Sequence, residues 1–194
     1  MANELNPWKL IEKREVFDCN FFTARSDIVH HLHGNPRPYN SLRFKHFGAA
    51  VVPIDSDGST VLIGQFRYVL NRFTWEVPRG GGTLEKDSLE VAKNELSEEA
   101  GLTAKSWMHI FDLWVSPGTT DERAPGFVAW NLHQGEPHPE PEEILLRKRV
   151  PFSQAIDMVL SGEICDMGSA SLLLNIQTRL VRNDLPADLL DILR

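Results

Sequence analysis

Cysteine is nearly absent: Cys19 and Cys165 are the only two among 194 residues, far apart and without metal-ligand spacing. That excludes a disulfide-stapled scaffold and a cysteine zinc site, and makes a reduced cytoplasmic protein the expectation. Basic charge is also short, with 20 Lys and Arg against 27 Asp and Glu and a formal charge of −7. A general nucleic-acid or membrane-surface binder carries a basic face, so neither partner is expected. No apolar run approaches the roughly 18 residues that span a bilayer. The opening Met-Ala-Asn-Glu-Leu-Asn lacks the basic-then-apolar pattern of a signal peptide. Internal repeats and low-complexity tracts are missing as well. What remains is ordinary globular composition at the length of one domain with a small appendage.

The richest stretch runs from Arg79 to Leu102. Gly80, Gly81 and Gly82 form a glycine loop, where the backbone is free to take φ > 0 or to approach a ligand closely. Asp87 is a good helix cap, Glu90 three residues on completes a capping-box pattern, and Gly101 is a C-terminal stop. Projected at 100° per residue, Leu89, Ala92, Leu96 and Ala100 share an arc of about 80°, the expected buried face. Glu95, Glu98 and Glu99 occupy a neighbouring arc of about 100°. Three carboxylates at that spacing repel one another unless a cation sits among them. An oxygen-only set suits Mg²⁺ or Mn²⁺, with substrate phosphates completing the shell. Alone, such a Glu-x-x-Glu-Glu is commonly a solvated acidic face; the flanking glycines and caps favour the ion.

Around this stretch the chain reads as strands and helices in alternation. Trp8 to Phe17 and Phe21 to Val29 read as two strands joined by a turn at Asp18-Cys19-Asn20. His30, His31 and His33 are a polar loop entry rather than a metal site, since no fourth ligand is evident. Phe44 to Ile54 reads as a long strand, with Asp55 to Ser59 a hairpin turn into the strand Val61–Tyr68. Trp75 to Pro78, Trp107 to Val115, Gly126 to Leu132 and Leu145 to Val150 are further strands. Gln134 to Glu143 is an exposed loop rich in Pro, Gly and Glu. Pro151 opens a helix stopped by Gly162, a last long helix runs from about Ser169 to Val181, and the tail packs as a short helical turn. Strands flanked by helices on both faces imply an α/β class with a mixed sheet.

The segment Gly80–Leu102 resembles a Nudix box. That signature is a glycine, five spacers, Glu, seven spacers, Arg-Glu, an aliphatic residue, one spacer, Glu-Glu, one spacer, Gly and an aliphatic residue. Gly80, Glu95, Leu96, Glu98, Glu99, Gly101 and Leu102 match without a gap. Lys86 stands where the family has Glu, and Asn94 where it has Arg. The resemblance implies a Nudix α/β/α sandwich over residues 42–194, preceded by an N-terminal strand extension at 1–41 that is expected to mediate dimerisation. It also implies metal ligation by Glu95, Glu98 and Glu99, with the Gly80 backbone carbonyl as a further ligand.

The N-terminal extension, Gly64-Gln-Phe-Arg-Tyr68, Trp75-Glu-Val-Pro78 and Ser116-Pro-Gly-Thr-Thr-Asp-Glu122 are similar to the ADP-ribose pyrophosphatase and nucleoside-diphosphate-sugar hydrolase branch. In that branch a residue like Arg67 contacts the diphosphate, and one like Glu76 sits near the base or terminal ribose. Glu122 is likewise expected at the substrate. Arg79 stands where the branch commonly has a small residue, either as an added phosphate contact or as a change to the pocket. A catalytic glutamate on the loop before the last strand is a branch feature; Glu140, Glu142 and Glu143 are candidates, and Glu143 is preferred. The expected activity is Mg²⁺-dependent hydrolysis of the pyrophosphate bond in ADP-ribose or a related nucleotide sugar, by a cytoplasmic homodimer. The alternative is a Nudix-fold nucleotide sensor with weak or no catalysis, because the arginine absent at Asn94 is thought to orient the glutamates.

Overall fold

The protein is described from a computed structural model over residues 5–138 and 144–194. Its first elements are β1 (Trp8–Glu12), β2 (Glu15–Asp18), β3 (Phe22–His31) and β4 (Arg37–Phe44). These form one antiparallel sheet in which β3 pairs with β1 and β2 along one edge and with β4 along the other. The continuous strand expected from Trp8 to Phe17 is therefore broken in two. The break is polar: the Arg14 backbone N–H donates to the Asp27 carboxylate at 2.9 Å, and the Arg14 carbonyl accepts from Ser26 N at 2.9 Å. His30 and His31 complete β3 rather than entering a loop, and His31 packs edge-on against Trp8 at 4.7 Å between ring centroids. The long strand expected from Phe44 is also two, since β4 ends at Phe44 and β5 (His46–Pro53) begins after Lys45.

The core contains β5, β6 (Ser59–Arg67), β7 (Arg72–Glu76), β8 (Arg79–Thr83), β9 (Leu102–Trp114), β10 (Arg123–Gln134) and β11 (Leu146–Pro151). One sheet runs β8-β5-β10-β9 and is mixed: β5 pairs parallel with β10 and antiparallel with β8. A second, antiparallel sheet runs β11-β6-β7. The turn at Asp55–Ser59 forms, with Gly58 at φ 74°. The strands it joins touch only through an Ile54–Thr60 bridge, then part into different sheets.

Alternation along β5 sorts its side chains to two cores, as a period of two requires. Phe47, Ala49 and Val51 face α1 (Ser88–Ala100), joining Val91, Ala92, Leu96, Phe127 and Ala129. Ala50, Val52 and Ile54 face the opposite layer, with Val128 and Trp130. There they meet α2 (Phe152–Ser161), α3 (Met167–Arg182) and α4 (Ala187–Leu193) through Phe152, Leu172, Leu173, Ile176 and Leu189. The result is the expected α/β/α sandwich. Its tail is fuller than expected, for α4 is a helix whose Leu189 is completely buried. Among the described residues no helix is long and apolar enough to cross a membrane.

Candidate active site

Helix α1 is set by its ends. The Asp87 side chain accepts from Leu89 N at 2.9 Å and Glu90 N at 3.1 Å, filling orphan donors of the first turn. Glu90 pairs with Lys93 at 2.7 Å, so the cap works through Asp87. Gly101 closes the helix at φ 67°, a left-handed conformation that costs glycine nothing, and its N–H faces the Leu96 and Ser97 carbonyls.

Beneath α1 the expected glycine loop is the strand β8, paired with β5 from His46↔Thr83 to Ala50↔Arg79. None of Gly80, Gly81 and Gly82 has positive φ. Gly80 and Gly82 serve close approach to the protein itself. A methyl group on Gly80 would overlap the Glu95 carboxylate, and one on Gly82 would lie 2.6 Å from Val91 Cγ2. The missing side chains let α1 settle onto the sheet and bring Glu95 against the β8 backbone.

Glu99 also turns inward. It is 4% exposed, part of the buried face rather than of an open acidic arc. Glu99 Oε2 accepts from Arg79 N at 2.9 Å, and its backbone carbonyl accepts from Arg147 Nε. Glu95 and Glu99 thus meet successive residues of β8, while Glu98 is exposed on the same turn. Among the described residues no group of three or more Asp, Glu, His or Cys side chains is placed to hold a metal ion. Glu95 and Glu99 lie against the β8 backbone and Glu98 is exposed on the same turn, and carboxylate oxygens are the donor type that suits a hard cation. Asn94 is exposed beside Glu95 in the chain. Glu143, with Glu140 and Glu142, lies outside the described residues. The described part of that loop is tied to α1: His138 N donates to the Glu98 carbonyl at 2.9 Å.

Next to β8 a cleft opens in two lobes that share Arg67 and Arg79. One lobe, about 230 Å³, is lined by Phe21, Phe44, His46, Gly80 and Glu122. The other, about 420 Å³, is lined by Tyr68, Leu70, Thr74, Glu76 and Asp166. Arg67 Nε and Nη2 donate to both oxygens of Glu76, at 2.8 and 2.5 Å, and Thr74 Oγ1 donates to the same carboxylate at 2.8 Å. Glu76 is 2% exposed and acts as the floor that aims Arg67. Its hydrogen bonds raise the Arg67 pKa further above its ordinary value.

Arg79 Nη1 donates to Asp166 Oδ1 at 2.5 Å. Burial pushes the Asp166 carboxyl up, but the Arg79 charge and hydrogen bonds from Ser169 outweigh it and leave the pKa below the carboxylate range. Glu122 shifts upward: burial dominates and Asp166 adds to it, against a lowering by Arg79. Arg67, Glu76, Arg79 and Glu122, from β6, β7, β8 and the segment before β10, therefore line one cleft, while Glu95 and Glu99 of α1 meet β8 at Gly80 and Arg79. Sequence reading missed Asp166, although Asp166-x-x-Ser169 is a helix-start signal. It also missed Thr74 and Arg147, which carry no local signature.

No family model matches the chain. It is 35% identical over 124 residues to the ADP-ribose pyrophosphatase of Mycobacterium tuberculosis, covering 62% of this chain and 60% of that protein. It is 32% identical over 165 residues to the ADP-ribose pyrophosphatase of Bacillus subtilis, covering 84% of this chain and 88% of the relative. The GDP-mannose pyrophosphatase of Salmonella typhimurium is 32% identical over 177 residues, with 84% and 91% covered. A solved structure of an ADP compounds hydrolase superposes with a TM-score of 0.82 at 20% identity over 93% of this chain and 98% of that one, a likeness of fold.

Proposed function

The chain belongs to the Nudix family, alongside its ADP-ribose and GDP-mannose pyrophosphatases, and from that premise we propose that it hydrolyses the pyrophosphate bond of ADP-ribose or a related nucleoside diphosphate sugar. The products are a nucleoside monophosphate and a sugar phosphate. The observation that carries this reading is the packing of the Glu95 carboxylate on Gly80 with Glu99 bonded to Arg79 N, beside a cleft holding two arginines.

Glu95, Glu98, Glu99 and the Gly80 carbonyl are the proposed ligands of Mg²⁺ or Mn²⁺. An ion held by these residues would neutralise phosphate charge and supply an attacking water of lowered pKa. The chain's own residues do the rest. Arg67, aimed by Glu76, presents a planar guanidinium that matches phosphate oxygens. Arg79 supplies a second positive charge on the same wall of the cleft. Charge developing on the phosphoryl oxygens is met by donors already oriented, so little reorganisation is needed during reaction. Glu143 remains our candidate general base. We place the protein in the cytoplasm as a homodimer, with residues 1–41 as the dimerisation element.

The test is incubation of the purified protein with Mg²⁺ and a panel of nucleotide sugars, dinucleotides and nucleoside triphosphates. Release of nucleoside monophosphate from a nucleotide sugar, abolished by chelator, is the expected result. Preference for triphosphates, or binding without cleavage, would overturn the reading in favour of another substrate class or a sensor.

A further inference from the structure

Arg79 is fastened at both ends. Its backbone N–H is bonded to Glu99 on α1, and its guanidinium reaches Asp166 at the start of α3, in the opposite helical layer. The guanidinium lies in a slot between two glycines. A methyl group on Gly48 of β5 would come within 3.3 Å of Nη2, and one on Gly168 of α3 within 3.5 Å of Nη1. Asp166 is itself fixed, because its Oδ2 accepts from Ser169 N at 2.7 Å as the cap of α3. Leu172, Leu173 and Ile176 of that helix are fully buried. The carboxylate therefore cannot follow the arginine if the side chain swings.

On the other side of the shared wall Arg67 is held by Glu76 in the same manner. Each arginine spends part of its donor fork on a carboxylate from another element. Among the described residues Arg67 Nη1 and the Nε and Nη2 of Arg79 donate no hydrogen bond, which leaves them for a ligand. Both guanidiniums lose their rotamer freedom before a ligand arrives, so binding does not have to supply that ordering.

Building on the diphosphate-sugar reading above, we propose that Asp166 is a positioning residue for the substrate: it holds the Arg79 guanidinium on the wall between the two lobes, so that Arg79 and Arg67 together take the two phosphates of a nucleoside diphosphate. The competing role for Asp166 is a helix cap alone, which would lower stability and leave ligand affinity untouched.

Asp166→Asn separates the two roles, because asparagine caps a helix about as well as aspartate but carries no charge for Arg79. The measurements are ADP affinity by calorimetry, KM and kcat on ADP-ribose with Mg²⁺, and the thermal midpoint. Asp166→Asn is expected to weaken ADP and to raise KM, each about tenfold, as one charge-assisted contact loses its aim. kcat should stay within about threefold and the midpoint within about 3 °C of wild type. In an Arg79→Ala background the same change should add nothing. Wild-type ADP affinity in Asp166→Asn, or an equal loss in both backgrounds, overturns the positioning role while the hydrolase reading stands. If the wild type binds ADP yet cleaves no nucleotide sugar, the hydrolase reading falls and the affinities still decide the role of Asp166. If the wild type neither binds nor cleaves, both fall. Should Asp166→Asn fail to fold, Arg79→Lys leaves the cap intact and must show the same loss of ADP affinity; unchanged affinity there also overturns the proposal.

Discussion

Glu98 and Glu99 are adjacent in sequence and have opposite surroundings. Glu98 is exposed; Glu99 is buried against β8 and accepts the Arg79 N–H. Helical projection already places Glu99 about 20° from Ala92, at the rim of the apolar arc. Glu98→Gln and Glu99→Gln should each cost about a hundredfold or more in Mg²⁺-dependent turnover, as a charged ligand leaves a hard-cation site. Stability should divide them. Glu99→Gln weakens a buried charge-assisted bond and should cost about 1 kcal/mol, while Glu98→Gln should stay within about 0.5 kcal/mol. Turnover and thermal melts of both variants check this, and near-wild-type turnover in either removes that residue from the ligand set. Glu122 behaves differently, since burial holds its pKa up. A raised carboxyl pKa means that the folded state disfavours the ionised form. The penalty is absent below the ordinary carboxylate pKa and complete above the folded one. Glu122→Gln should therefore raise the thermal midpoint at pH 7, and the gain over wild type should shrink as the pH falls through the carboxylate range. Melts of both proteins from pH 7 to pH 4 test the sign.

At the level of the element, β8 and α1 show where sequence rules hold and where they stop. Asp87 and Gly101 were legible because capping is local: each acts within about four residues of itself. The glycine run was harder, since the same three residues suit a positive φ or a close approach. The choice depends on Val91, Phe47 and Glu95 arriving from other elements. Lys86 is exposed in the turn between β8 and α1, and Asn94 is exposed in the middle of α1. An arginine at 94 lies four residues before Glu98 and beside Glu95, close enough to hold a carboxylate rotamer as supporting groups do at metal sites. Lys86 puts positive charge near the helix N-terminus, where the dipole disfavours it by a few tenths of a kcal/mol. Lys86→Glu with Asn94→Arg should raise kcat/KM on the best substrate by more than the two single changes together. A double-mutant cycle measures this; simple additivity, or no gain, would mean that the site does not depend on either position.

Across the whole molecule, the sandwich was legible because strands are flanked by helical segments along the chain, which implies helices on both faces of a sheet, and because the resemblance implies that fold. The partition into sheets was not, because it depends on which long-range partner each strand finds. Ile54 and Thr60 bridge, yet β5 goes to β10 and β6 to β11. The N-terminal sheet was misjudged in the same way, as two strands where β1 to β4 make four. It is joined to the core through β4 and the loop before β10: Leu42 N donates to the Thr119 carbonyl at 2.9 Å, and Phe44 N to Asp121 at 2.7 Å. Its outer strands remain uncovered. Leu10, Ile11 and Val16 are exposed, Phe17 is 57% exposed, and Phe21, which lines a lobe of the cleft, is 66% exposed. Exposed apolar side chains on both faces of a thin sheet are what a partner would cover, and a sheet with little packed behind it gains most from one. A second copy placing its own β1 and β2 there would cover them. The expected solution species is thus a homodimer with Trp8–Val29 in the interface. Light scattering at micromolar concentration should give twice the 22.0 kDa chain mass. Leu10→Glu with Phe17→Glu should move that mass toward the monomer without unfolding the core. A monomeric wild type would remove the dimer from the account.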